Sequence, residues 1–296
     1  MDFRPHGIIP ALVTPLTDDD QIDEPALRRL VEHCLAGGVH GLFACGSQGE
    51  AYALDDQERR QVIEIVRDQA RGRVPVYAGT GAVSTRQTIR LTKDAEAAGA
   101  DAVSIVTPYF ITPSAEELYE HYVAIAAATR LPILLYPNPD RTRVNLAPEL
   151  VARLARIENI VGVKDSSGDL TQTCEYIRLT RGRPFAVLVG RDTLIFAALA
   201  CGAAGAIAAT ANVAPALAVE IYTAFQASDL ERARQAQERL APLRQAFTLG
   251  TFPVVVKEAL ALMGICSGQA RAPIRPLNPT QARSLVRVLQ ELGLVS

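Results

Sequence analysis

The chain has 296 residues, 49% of them hydrophobic and 21% charged, with a formal net charge of −2 at pH 7. That length suits one large domain or two small ones, and a near-neutral chain with no block of like charge lacks the electrostatic pull that nucleic acid or an anionic lipid surface requires. The opening stretch MDFRPHGIIPALVTPL has no basic start followed by a long apolar run, and no apolar run approaches the ~20 residues that cross a bilayer, so a soluble, cytoplasmic protein without membrane contact is expected.

Eight short apolar runs rich in β-formers follow one another, at 7–16, 41–47, 74–81, 100–109, 132–139, 159–166, 185–192 and 205–213. The intervening stretches, such as DEPALRRLVEHCLAGG and STRQTIRLTKDAEAAGA, place apolar residues near i, i+3, i+4 and i+7, which is the pattern of βα units and a parallel sheet. Helix starts are signalled by capping-box spacing in Asp55 with Glu58, Ser84 with Gln87 and Ser114 with Glu117, and helix ends by Gly38, Gly72, Gly99 and Gly202. Eight such units in tandem, without the G-x-G-x-x-G turn of a dinucleotide site, predict a closed (β/α)8 TIM barrel over residues 1–228. From about residue 229 the strand signals stop, and residues 229–296 read as a helical C-terminal extension packed on the barrel; no linker composition separates the two.

The five cysteines, Cys34, Cys45, Cys174, Cys201 and Cys266, are odd in number and far apart, which suits reduced core thiols better than disulfides or a zinc site. Cys45 adjoins a turn of interest at 46–50, yet a small buried hydrophobe is the better reading of it. Three of the four histidines lie outside the strand ends and His121 falls within a helix, so no metal site is expected; P-loop spacing is absent as well.

In a barrel of this kind the chemistry gathers at the C-terminal ends of the strands. Those ends hold Thr14, the turn GSQGE (46–50), the stretches TPYF (107–110) and YPNPDRT (136–142), Lys164, and the stretches GRD (190–192) and TAN (210–212). Of the 30 basic residues only Lys93, Lys164 and Lys257 are lysines, and only Lys164 closes a strand. A strand-capping lysine is ordinarily a salt-bridged cation, but a chain that uses arginine for nearly every cation has reason to spend a lysine where a titratable amine is needed. Alternation puts Gly162 and Lys164 on one face and Val161, Val163 and Asp165 on the other; if the valines face the helices, Lys164 points into the barrel mouth. Burial there disfavours the ammonium and leaves neutral amine able to attack a carbonyl. Tyr136 ends the neighbouring strand, and Ser47 lies across the mouth, within reach of a proton exchange with it. Strand-end tyrosines also serve as amphipathic plugs, and Gly46, Ser47 and Gly49 would suit any tight turn. The turn's consecutive backbone N–H groups would cradle a small carboxylate. Lys93 reads as a solvated helix charge, and Lys257, in the C-terminal helices, is open to a buried ion pair.

Taken together, GSQGE, VTPYF, LYPNPDRT and VGVKDSSGD resemble the motifs of the dihydrodipicolinate synthase and N-acetylneuraminate lyase family, over nearly the whole chain. The resemblance implies a 2-oxo acid such as pyruvate bound as an imine on Lys164, its carboxylate held by the backbone of Ser47 and Gln48. Tyr136 would transfer protons with Ser47 as relay, in a homotetramer needing no metal or organic cofactor. Gly46, Gln48, Arg141, Gly190 and Ile207 are the substrate-binding positions it implies.

Two departures stand out. Phe110 replaces a second tyrosine that in many relatives reaches a neighbouring subunit's site, and Pro137 replaces the asparagine that usually follows the catalytic tyrosine, with Asn138 one step later. Arg141 matches the arginine that holds the second substrate's carboxylate in the synthases, a bidentate use for which a guanidinium is suited, although an exposed loop arginine is an equal reading. Arg143 adds charge at the same mouth. Arg141 favours a synthase joining pyruvate to aspartate semialdehyde. Phe110 favours an aldolase or dehydratase of 2-keto-3-deoxy sugar acids or hydroxy-oxoglutarate, and a deaminase or hydrolyase of the same family is a third reading. A barrel that binds 2-oxo acids without catalysis is an alternative of another class.

Overall fold

The computed structural model describes residues 3–296, and in it all eight predicted strands form, each shorter than its apolar run. In chain order, β1 (Gly7–Pro10), α1 (Glu24–Ala36), β2 (Leu42–Ala44), α2 (Asp56–Ala70), β3 (Val76–Gly79), α3 (Thr85–Ala97), β4 (Ala102–Val106) and α4 (Ala115–Ala127) make the first half. The second half is β5 (Ile133–Tyr136), a short α5 (Pro139–Thr142), α6 (Pro148–Leu154), β6 (Ile160–Asp165), α7 (Leu170–Thr180), β7 (Ala186–Val189), α8 (Ile195–Ala200), β8 (Gly205–Ala208) and α9 (Pro215–Gln226). All strands pair in parallel, β2 through β8 in sequence order and β8 back to β1. A bridge between Ala11 and Phe43 and a bond from the Leu12 amide to the Phe43 carbonyl (2.9 Å) close the ring.

Two of the three expected capping boxes form in full. Asp55 and Ser114 form reciprocal capping boxes with Glu58 and Glu117, while Ser84 accepts from the Gln87 amide. Gly38, Gly72, Gly99 and Gly202 all take positive φ, the conformation in which a helix end costs glycine least.

Ile9, Phe43, Tyr77, Leu134, Leu188 and Ile207 fill the barrel interior, and Phe3 stands edge-on to Tyr77, so the barrel is a packed core and not a pore. The separate, larger core lies between strands and helices. Val161 departs from simple alternation. A register shift opposite Ile133 and Leu134 pairs those residues with Ile160 and Gly162, skipping Val161, which packs with the interior cluster. Beyond the bulge alternation resumes, with Val163 facing the helices.

The extension comprises α10 (Leu230–Ala246), α11 (Val254–Leu262) and α12 (Pro279–Glu291). It packs on α9 through α10 and is joined to the barrel by bonds from Ser267 Oγ to the Leu16 carbonyl (2.5 Å) and from Arg29 Nε to the Ile265 carbonyl (3.0 Å). Cys34, Cys45 and Cys266 are buried, as expected of core thiols; Cys174, on α7, is half-buried and Cys201, just after α8, is exposed, so these two depart from that expectation. Among the described residues no helix is long and apolar enough to cross a membrane.

Candidate active site

Lys164 pairs in register with Leu188, an interior residue, so the strand turns the lysine into the barrel mouth. It is 4% exposed, with Nζ 3.9 Å from the centroid of the Tyr136 ring and 4.8 Å from that of Phe43. Among the described residues it has no carboxylate partner. Two ring faces therefore stand where a counter-ion would, and no ion pair has to break before the amine reacts. Gly190 makes room for this side chain: a Cβ there would lie 3.2 Å from Lys164 Cε and 1.9 Å from Ser166 Oγ.

Tyr136 is buried beside the lysine, and its hydroxyl accepts a bond from Asn138 Nδ2 (2.9 Å) and lies 3.4 Å from Ser47 Oγ. Burial pushes this phenol up, but the Lys164 charge and hydrogen bonds with Ser47, Asn138 and Lys164 outweigh it, so the phenol sits below its ordinary range. An acidified phenol in contact with an amine is suited to passing protons near that amine. After Pro137, Asn138 is the residue preceding α5, and from there its side-chain amide reaches back to the tyrosine hydroxyl.

The 46–50 turn is held by bonds from the Gly49, Glu50 and Ala51 amides to the Gly46, Ser47 and Gly46 carbonyls, and by Thr14 Oγ1 donating to the Gly49 carbonyl (2.7 Å). Among the described residues the Ser47 and Gln48 amides have no such partner, which leaves two adjacent donors at the mouth. Gln48 is 3% exposed, and among the described residues neither its side-chain amide nitrogen nor its oxygen has a partner. Buried polar groups are ordinarily satisfied, so an orphaned carboxamide lining a cavity marks a place for a polar ligand.

The mouth contains two chambers that share Ser47, Tyr136, Arg141, Thr251 and Phe252 as walls. The polar one, about 400 Å³, is lined by Lys164, Gln48, Gly190 and Ile207 in addition to the shared wall; the more apolar one, about 340 Å³, has Gly46, Phe43 and Tyr109. Seven of the eight residues singled out from sequence thus face the Lys164 chamber, and Gly46 lines its neighbour. Arg141 is exposed, with its guanidinium over the Phe252 ring at 4.4 Å. Arg143 caps α5 in a left-handed conformation and lines neither chamber.

Phe110 is 92% exposed at positive φ and lines neither chamber of its own chain. Cys45 is an inert core thiol: burial pushes it up to about 12, and it donates to the Arg59 carbonyl at 3.5 Å. Lys93 is exposed on α3. Sequence reasoning did not single out Phe43, which inward alternation on β2 would have revealed, or Thr251 and Phe252, which come from the segment between α10 and α11 and carry no strand-end signal.

A (β/α)8 barrel that buries a lysine amine against a tyrosine, with no carboxylate partner among the described residues, suits chemistry on a carbonyl compound. The sequence model described as the dihydrodipicolinate synthetase family matches residues 4–292. Similar proteins include the 4-hydroxy-tetrahydrodipicolinate synthases of Syntrophus aciditrophicus, 45% identical over 289 residues (98% of this chain and 99% of that one), and of Methanothrix thermoacetophila, 43% identical over 288 residues (97% of each). Among solved structures, the dihydrodipicolinate synthase of Thermotoga maritima superposes with a TM-score of 0.96 at 36% identity, covering 99% of this chain and all of that one. The chloride-inhibited enzyme of Acinetobacter baumannii in complex with pyruvate gives 0.95 at 39%, covering 98% and 99%. The chain belongs to the dihydrodipicolinate synthetase family, and it is a lyase of that family.

Proposed function

We propose that the chain joins pyruvate to an aldehyde bearing a carboxylate, as the relatives named 4-hydroxy-tetrahydrodipicolinate synthase suggest, with aspartate semialdehyde as the aldehyde. The observation that carries this reading is the Lys164 amine packed on the Tyr136 ring while the tyrosine hydroxyl is held by Asn138 and faces Ser47. The neutral amine adds to the keto carbon of pyruvate, and loss of water from the carbinolamine gives an imine. A C3 proton leaves to give an enamine, whose C3 attacks the aldehyde carbonyl; the new alkoxide takes a proton, and water returns to free the lysine. Tyr136 and Ser47 carry these protons, and the Ser47 and Gln48 amides hold the pyruvate carboxylate. Gly190 and Ile207 shape the wall behind the imine.

Arg141 supports the acidic aldehyde, because its guanidinium stands at the wall between the chambers with no ion pair among the described residues. Phe110 supports the second reading, cleavage of 2-keto-3-deoxy sugar acids, because it brings no hydroxyl to any proton relay. Exposed Phe110 and Ile111 support assembly into a homotetramer, with sedimentation as the test. The absence of any membrane-crossing helix among the described residues is consistent with the cytoplasm as its compartment.

The experiment is borohydride reduction in the presence of pyruvate, followed by intact mass and peptide mapping. A pyruvate-sized adduct on the Lys164 peptide is expected, and turnover with aspartate semialdehyde should follow. An adduct without that turnover, but with cleavage of a 2-keto-3-deoxy acid, would select the second reading. A folded protein that traps no 2-oxo acid would leave only the non-catalytic barrel.

A further inference from the structure

Lys257 is the third lysine of the chain, and none of the chemistry above uses it. It is fully buried on α11, and its ammonium is ion-paired with the Glu50 carboxylate and donates to the Gln269 carbonyl at 2.7 Å. Burial lowers this amine, and the Glu50 carboxylate works against that by favouring the charged form. The other Glu50 oxygen accepts the Arg271 amide at 2.9 Å. Arg271 in turn spans the extension and the barrel, donating to both Glu58 oxygens (2.7 and 2.6 Å) and to the Ala53 and Asp20 carbonyls (2.8 Å each). Glu50 itself is a non-glycine residue at φ 55°, a conformation that persists only where its surroundings impose it.

Glu50 closes the GSQGE turn. Its own amide bonds to the Ser47 carbonyl, so whatever fixes Glu50 fixes Ser47 as well. From these contacts we infer that Lys257 is a positioning residue for the active site: through Glu50 it locks the 46–50 turn so that the Ser47 and Gln48 amides stay free and aimed at a substrate carboxylate. The inference rests on the proposed imine chemistry, because it assigns the turn the carboxylate of a 2-oxo acid. A lysine suits this place because a compact ammonium with three donors fits between one carboxylate and one carbonyl, where a planar guanidinium would demand more room.

Two variants test the clamp, Lys257→Met and the double variant Glu50→Gln, Lys257→Met, which removes the unpaired buried charge if the single variant fails to fold. Each is titrated with pyruvate under borohydride, and separately with acetaldehyde, a carbonyl compound without a carboxylate. The expected result is half-maximal trapping at about tenfold or more higher pyruvate, the worth of one charge-assisted hydrogen bond, with acetaldehyde trapping unchanged. A purely structural role would lower the melting temperature and leave the pyruvate titration at the wild-type concentration, which would overturn the clamp alone. A wild-type protein that traps nothing on Lys164 would overturn the imine reading and the clamp with it.

Discussion

Lys164 and Lys257 are both buried amines, and their surroundings send them to opposite uses. Lys257 has a carboxylate and a carbonyl for its charge and holds two parts of the chain together. Lys164 has the faces of Phe43 and Tyr136 and, among the described residues, no carboxylate. What separates an anchor from a nucleophile is therefore the partner and not the depth of burial. An amine committed to an ion pair is costly to deprotonate, while one packed on aromatic rings keeps its lone pair accessible once neutral.

The sharpest way to break this comparison is Lys164→Arg, which keeps the charge and removes the nucleophile. Turnover is expected to fall by about a thousandfold or more, with the fold and melting temperature close to wild type. Residual activity near wild type would mean that the charge and not the amine matters. Tyr136→Phe keeps the ring face under the lysine and deletes the hydroxyl; kcat should drop by about 10²- to 10³-fold while pyruvate still forms a trappable imine. An unchanged kcat would remove Tyr136 from the proton path. Arg141→Ala should raise KM for an acidic aldehyde by about tenfold or more and leave pyruvate trapping untouched, measured by steady-state kinetics against a neutral aldehyde as control.

The last test reads stability and not turnover, and concerns a third buried base. His121 on α4 bonds Thr85 Oγ1 at 2.9 Å through Nδ1, and its Nε2 is buried without a partner among the described residues. Burial holds its pKa down to about 4, below the usual value near 6.5 for the unfolded chain. Between those two values the unfolded state binds the proton more readily, so stability is intact above pH 6.5 and is lost as the pH falls towards 4, by at most about 3 kcal/mol. Denaturant melts of His121→Gln against wild type across that window should show a flatter acid slope in the variant; parallel slopes would assign the acid sensitivity elsewhere.

The two lysines also mark how far the sequence could be read. Lys164 was legible because it closes an apolar run on a strand of known position, and strand ends converge by the closure of the barrel itself. The same logic found Tyr136, the 46–50 turn and Gly190. It failed at Val161, because a bulge is set by the register of the neighbouring strand and leaves no composition signal in its own. Arg143, expected at the same mouth as Arg141, follows α5 in a left-handed turn and lines neither chamber.

Local patterning determined the eight βα units, their caps and the residue types at the mouth, because hydrophobic periodicity and capping act over a few residues and are written in order along the chain. Tertiary structure alone decided that Lys257 and Arg271 would grip Glu50 from more than two hundred residues away and that Phe252 would stack under Arg141. Such contacts depend on where distant segments meet when the extension folds over the barrel, and no short-range pattern encodes that meeting.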